Sequence, residues 1–228
     1  MTQSSMTNEI AAAAPTILDG IDPDLATHLG SKREIFRNVA TKLGVLATTP
    51  VILAAASSEA FAQGLPRQVT DILNFALTLE YLEDEFYRTA LSSNFIPERY
   101  YELFKTISRH ESEHVSTLTG ALGGAAVAKP RFDFTARGKY PDIFRNFRTF
   151  ALVSQTLEET GVAAYKGHAP KLTGGGQLLT TALRIHSVEA RHAAEVRRIR
   201  GARPWTGAFD KPMSKAQVLA AASPFIAG

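Results

Sequence analysis

Two glutamate–histidine pairs in the sequence have the residue types and the spacing of metal ligands. His114 follows Glu111 by three positions, and His192 follows Glu189 by the same interval. On an α-helix, residues three apart share one face, about 60° apart around the axis and ~4.5 Å apart along it. Each pair can therefore present one carboxylate and one imidazole to adjacent metal positions. The 228-residue chain has no cysteine, so a metal would bind histidine and carboxylate, which suit iron, manganese or zinc.

An internal repeat adds one glutamate to each pair. Glu80 precedes Glu111 by the same interval as Glu158 precedes Glu189. Glu80 and Glu158 each end a Thr-Leu-Glu tripeptide, and a tyrosine follows each of them at the same distance. These tyrosines, Tyr87 and Tyr165, are expected in the core, with hydroxyls that can bond to ligand carboxylates. In antiparallel helical hairpins, equal spacing puts both halves of the repeat at one depth, so two hairpins can close one site around a pseudo-two-fold axis. The repeat predicts a two-metal site with six ligands: Glu80, Glu111, His114, Glu158, Glu189 and His192.

Each of these four glutamates falls within an apolar stripe of its helix. A lone buried carboxylate costs several kcal/mol unless it is paired or binds metal, and four at one level repel each other unless cations neutralise them. Glu111 and Glu189 are expected to lie between the two ions, with the histidine of each pair on one ion. The alternative is a bundle whose buried polar residues bond only to each other. A single glutamate–histidine pair with this spacing also arises by chance on solvated helices, so one pair alone would not indicate a metal site.

The elements that must hold these residues are helices. Apolar residues recur at three- and four-residue steps over about residues 67–91, 97–122, 141–166 and 177–200, and a short apolar helix follows near 214–222. The connection 123–139 can span ~55 Å when extended, whereas a helix of about 25 residues is ~37 Å long. It can therefore cross the whole bundle. With strand signals absent, the predicted fold class is all-α: a four-helix bundle with one long crossover between helices two and three, the ferritin-like arrangement.

Residues 1–62 are predicted to be an export signal and a disordered N-terminus, ahead of a bundle domain at 63–228. A basic patch around Arg33 precedes a mildly apolar run of about 14 residues, shorter than the ~20 of a membrane-spanning helix. An Ala-x-Ala cleavage signal ends at Ala62. The patch resembles a twin-arginine signal, although Lys32 stands at the first arginine; a general secretory signal and an uncleaved anchor are the alternatives. We expect a periplasmic protein whose mature chain is not stably inserted in a membrane.

Three segments of the mature chain resemble the ferritin-like superfamily, and within it the exported, desiccation-related branch of stress proteins. They are Leu-Thr-Leu-Glu-Tyr-Leu-Glu at 77–83, Pro-Arg-Phe-Asp-Phe at 130–134 and Leu-Glu-Glu-Thr-Gly-Val-Ala-Ala-Tyr at 157–165. The six predicted ligands also match the di-iron ligand pattern of that superfamily, and every position holds the expected residue type. The resemblance implies two iron or manganese ions as cofactors.

Three functions stay open from the sequence. The first is a redox enzyme of the ferroxidase, peroxidase or manganese-catalase kind, with dioxygen or hydrogen peroxide as its partner. The second is a non-catalytic, metal-binding stress protein, and the third is a structural bundle whose site is normally empty. A homo-oligomer is compatible with all three. A net charge of +3 is too small to indicate a nucleic-acid partner.

Four further polar residues lie close to the ligand pattern. Glu83, three positions after Glu80, is expected to be solvated or to lie behind the ligands, with an auxiliary ligand role as the alternative. Glu159 competes with its neighbour as a ligand, but the repeat disfavours it. His110 is expected at the surface or beside the ligands, and His186 is a weaker candidate near the site.

Overall fold

The structure, a computed structural model, describes residues 65–173, 176–205 and 207–227. Five α-helices form this part of the chain: α1 (Arg67–Ser92), α2 (Glu98–Leu122), α3 (Phe147–His168), α4 (Gln177–Ile199) and α5 (Lys215–Ala222). No β-strand occurs among these described residues. The predicted export signal and its cleavage point lie outside them.

The four long helices pair as two hairpins. α1 packs along α2, and α3 packs along α4, while α1 also contacts α3 and so joins the hairpins. The long connection from α2 to α3 begins with a 3-10 turn at Gly123–Ala125 and meets the C-terminal tail at a single bridge between Phe132 and Ile226. The all-α bundle with one long crossover is thereby confirmed.

The third helix begins later than its apolar pattern predicts. The sequence places the start near Pro141, but the helix starts at Phe147. Asn146 has an extended backbone, and its side chain accepts a hydrogen bond from the Arg148 N–H, which is the geometry of a helix N-cap. The Asp142 carboxylate also accepts from the Asn146 side chain. Local side-chain hydrogen bonds therefore hold residues 141–146 as turns instead of a helical start.

The buried apolar residues form two clusters. The aromatic cluster includes Phe86, Phe104 and Phe150, and the aliphatic cluster includes Leu73, Leu118 and Ile185. On every long helix, the predicted ligands lie between residues of one cluster and residues of the other. The ligands thus form a polar layer across the bundle with apolar packing on both sides, where the local dielectric is low.

The C-terminal tail is tied to α3. The Met213 N–H donates a hydrogen bond of 3.0 Å to the Ala163 carbonyl. A Cβ on Gly167 would lie 2.1 Å from the Met213 carbonyl oxygen, so only glycine permits this close backbone approach. α5 then lies against α3, and a capping box between Ser214 and Gln217 starts it. In the described part of the chain, no helix is both long and apolar enough to cross a bilayer.

Candidate metal centre

The structure brings all six predicted ligands together in the polar layer. None of them is more than 7% exposed. Their ligand atoms fall into two groups of four, and the four atoms of each group lie within 4.8 Å of one another. The first group comes from Glu80, Glu111, His114 and Glu189, and the second from Glu111, Glu158, Glu189 and His192. The two groups share Glu111 and Glu189, so these two carboxylates lie where both groups meet.

His114 has the surroundings of a ligand in the first group. Its Nδ1 lies 3.1 Å from one oxygen each of Glu80, Glu111 and Glu189. One N–H can be directed at only one of three carboxylates, so hydrogen bonding alone does not explain the arrangement. Histidine nitrogen and carboxylate oxygen bind divalent transition metals at about 2.0–2.2 Å, which puts neighbouring ligand atoms of an octahedral site about 3 Å apart. The distances around His114 match that spacing.

His192 is placed in the same way in the second group. Its Nδ1 lies 2.9 Å from Glu111 Oε1 and 3.4 Å from Glu158 Oε2. None of these three buried atoms has a hydrogen-bond partner, although they are close neighbours. An unsatisfied buried polar atom costs about 1–3 kcal/mol. Lone pairs that converge without bonding to each other fit a cation held between them.

Two tyrosines hold the outer oxygens of Glu158 and Glu80. The Tyr87 hydroxyl donates to Glu158 Oε1 at 2.5 Å and lies 2.6 Å from Ser154 Oγ. The Tyr165 hydroxyl donates to Glu80 Oε1 at 2.5 Å. Each tyrosine therefore bonds the glutamate of the opposite half of the repeat, which fixes the two hairpins to each other through the polar layer. These are the two tyrosines that follow Glu80 and Glu158 in the repeat.

Removal of either tyrosine hydroxyl should destabilise the metal-free protein. Tyr87→Phe leaves Glu158 Oε1 without a donor, and Tyr165→Phe does the same to Glu80, so each should lower the free energy of unfolding by about 1–3 kcal/mol. Urea unfolding measures this loss. Tyr101→Phe is the matched control, because Tyr101 is 39% exposed and its change should stay within about 0.5 kcal/mol. Equal stability of Tyr87→Phe and wild type would contradict the role of the hydrogen bond.

His110 supports His192 from behind. The Nδ1 of half-buried His110 lies 3.0 Å from His192 Nε2, and the two rings stack with an interplanar angle of 12°. A hydrogen bond on one ring nitrogen of a metal-binding histidine sets which nitrogen faces the metal. The bond to His110 leaves His192 Nδ1 for the carboxylates. The sequence placed His110 at the surface or beside the ligands, but it gave no signal for this contact with His192, which crosses from α2 to α4.

Burial and neighbouring charges shift the pKa values of the ionisable groups in the layer. Burial, together with the charge of Glu111, holds the pKa of Glu189 well above its ordinary value. Burial alone would lower the pKa of His192, but the carboxylates of Glu158 and Glu111 raise it to about 11. The pKa of His114 is likewise raised against burial, chiefly by Glu80. Metal binding to these imidazoles would therefore compete with protons.

Other polar residues near the pattern lie outside both groups. Glu159 forms an ion pair with Arg197 at 2.7 Å and accepts a hydrogen bond from Gln155. His186 is half-buried and belongs to neither group. Glu83 also belongs to neither group. It is 2% exposed and lies beside Glu189, so of the two placements expected for it, it is not solvated but lies behind the ligands.

Comparison with known proteins agrees with the helical fold. A family model described as a ferritin-like domain matches residues 68–202, a range that contains all six predicted ligands. No curated protein sequence matches the chain significantly.

Proposed function

Because the chain belongs to the ferritin-like domain family, we propose that its polar layer binds two iron or manganese ions and that the loaded protein reacts with dioxygen or hydrogen peroxide. The observation that carries the proposal is the convergence of buried ligand atoms without hydrogen-bond partners. These atoms belong to Glu111, Glu158, Glu189 and His192. A structural bundle without a cation would leave carboxylate oxygens of Glu111, Glu158 and Glu189 side by side in the core with no donor directed at them, which native proteins avoid.

Six residues would hold the two ions. His114 and Glu80 would serve the first position, His192 and Glu158 would serve the second, and Glu111 and Glu189, which belong to both groups, would serve both. Bound iron or manganese would supply one-electron chemistry between the +2 and +3 states. The protein contributes orientation, because Tyr87, Tyr165 and His110 each fix one ligand from outside.

The surroundings of the layer restrict what can react there. Apolar clusters close it on both sides, and each ligand is at most 7% exposed. Sugars, peptides and nucleotides are too large for such a site, whereas dioxygen, hydrogen peroxide and water are small enough. These surroundings support a small oxidant as the reacting partner.

Metal loading tests the first half of this proposal. The metal-free protein is titrated with Mn²⁺ under argon, and unbound Mn²⁺ is measured by electron paramagnetic resonance. We expect two ions per chain. A protein that binds none would leave the third function, a bundle whose site is normally empty, as the better explanation.

Export to the periplasm is a separate proposal, supported by the basic patch, the apolar run and the Ala-x-Ala signal within residues 1–62. The mature chain should begin near Gln63, as mass spectrometry of the native protein would measure. Replacing Lys32 and Arg33 with glutamine should block export through the twin-arginine route. Native protein that still contains residues 10–50 would contradict cleavage.

A further inference from the structure

Glu83 is a fifth buried carboxylate beside the metal centre. It lies three positions after Glu80, on the same face of α1, and is 2% exposed. Its Oε1 has no hydrogen-bond partner. An ionised carboxylate that is buried without a donor or a cation costs several kcal/mol.

The internal repeat pairs Glu83 with a glycine. Glu158 corresponds to Glu80, so the position that corresponds to Glu83, three places later, is Gly161. A Cβ on Gly161 would lie 3.0 Å from Glu189 Oε2 and 3.5 Å from Glu83 Oε1. Glycine inside a helix destabilises it by roughly 0.5–1 kcal/mol relative to alanine. What Gly161 provides in return is space beside two carboxylates.

The pair breaks the two-fold symmetry of the centre. Four glutamates and two histidines are repeated in the two halves, but one half has a carboxylate where the other has no side chain. The space at Gly161 adjoins both Glu83 and Glu189, and Glu189 belongs to both ligand groups. Because Gly161 has no side chain, the carboxylates of Glu83 and Glu189 both approach the same point on α3.

We propose that Glu83 is a fifth carboxylate ligand of the centre, that Gly161 leaves room for it beside Glu189, and that it makes the two metal positions unequal. The inference rests on the proposed metal binding. Four ionised carboxylates balance two divalent ions, and a fifth balances one divalent and one trivalent ion. An additional carboxylate on one side therefore favours a higher charge at the position that it reaches.

The test compares Mn²⁺ binding by the full metal-free chain and by Glu83→Gln, which keeps the shape and removes the charge. Wild type should bind two Mn²⁺ ions in two unequal steps, and Glu83→Gln should weaken one step by at least about tenfold while the other is retained. Glu159→Gln is the control, because Glu159 lies outside both groups and pairs with Arg197. It should bind both ions as wild type does.

A packing role for Glu83 gives the opposite pattern. It predicts that Glu83→Gln lowers the melting temperature of the metal-free protein and leaves both binding steps unchanged, and that result would overturn the inference. Two equal steps in wild type, or equal weakening of both steps in the variant, would overturn it as well. If wild type binds no Mn²⁺, the proposed metal centre itself fails, so the two failures are distinguishable.

Discussion

Glu111→Ala should reduce the number of bound Mn²⁺ or Fe²⁺ ions from two per chain to none. Glu111 is fully buried and belongs to both ligand groups, so its loss removes an oxygen from each metal position at once. A ligand that served only one position would leave the other ion in place. Metal analysis after loading and desalting measures the difference.

The same variant should lose the thermal stabilisation that metal gives. A ligand that binds only the folded state stabilises it by about 4 kcal/mol per ion at 1,000 times its dissociation constant, which is about 8–16 °C for a chain of this size. We expect the melting temperature of wild type to rise by about that amount or more on loading, and that of Glu111→Ala to stay unchanged. Comparing each protein with and without metal separates this effect from any cavity that the alanine leaves.

Glu113→Ala is the matched control for this experiment. Glu113 lies two positions further along α2, is 66% exposed and faces Arg109 at 4.0 Å. The control should bind two ions and show the full rise in melting temperature, because an exposed ion pair of this kind contributes little. Unchanged metal content in Glu111→Ala would be irreconcilable with a bridging role for this carboxylate.

The sequence was sufficient to predict the polar layer because helical periodicity and the repeat act together. Because the two glutamates of each hairpin are separated by the same number of residues, both hairpins bring their glutamates to the same level along the bundle axis. That shared level is what places Glu80 next to Glu111. The crossover was predicted from the length of the connection 123–139 alone. Both inferences use only the number of residues between two positions, which can be counted in the sequence.

Contacts between helices were beyond such reasoning. The bond from His110 to His192 depends on the rotation of α2 against α4, and no spacing in either helix encodes it. Glu83 is a related case: its position on the ligand face was visible, but its burial beside Gly161 of α3 is a contact between helices that neither helix encodes alone. The late start of α3 has a different cause, since Asp142 and Asn146 compete with helix formation through local hydrogen bonds.

The largest functional effect is expected in reactions with oxidants. Four carboxylates and two neutral imidazoles leave a pair of divalent ions formally neutral, so the protein charge does not oppose a further positive charge at the centre. Protein loaded with Fe²⁺ or Mn²⁺ should therefore consume dioxygen or hydrogen peroxide. Stopped-flow absorbance follows the iron-loaded protein, and peroxide decay follows both loaded forms.

Two ligand variants and one control variant distinguish oxidant consumption at this centre from reactions of free metal in solution. Glu158→Ala and His192→Ala each remove a ligand of the second group, and we expect consumption to fall by about 100-fold or more, since changes behind the ligands alone cost 10–100-fold. Glu159→Ala is the control, because this glutamate is adjacent in sequence but pairs with Arg197; it should react as wild type does. Peroxide decay that occurs with the manganese-loaded protein and not with the iron-loaded protein would favour the catalase-like reaction over ferroxidase. Equal rates in wild type and both ligand variants would exclude turnover at this centre and leave a metal-binding stress protein as the function.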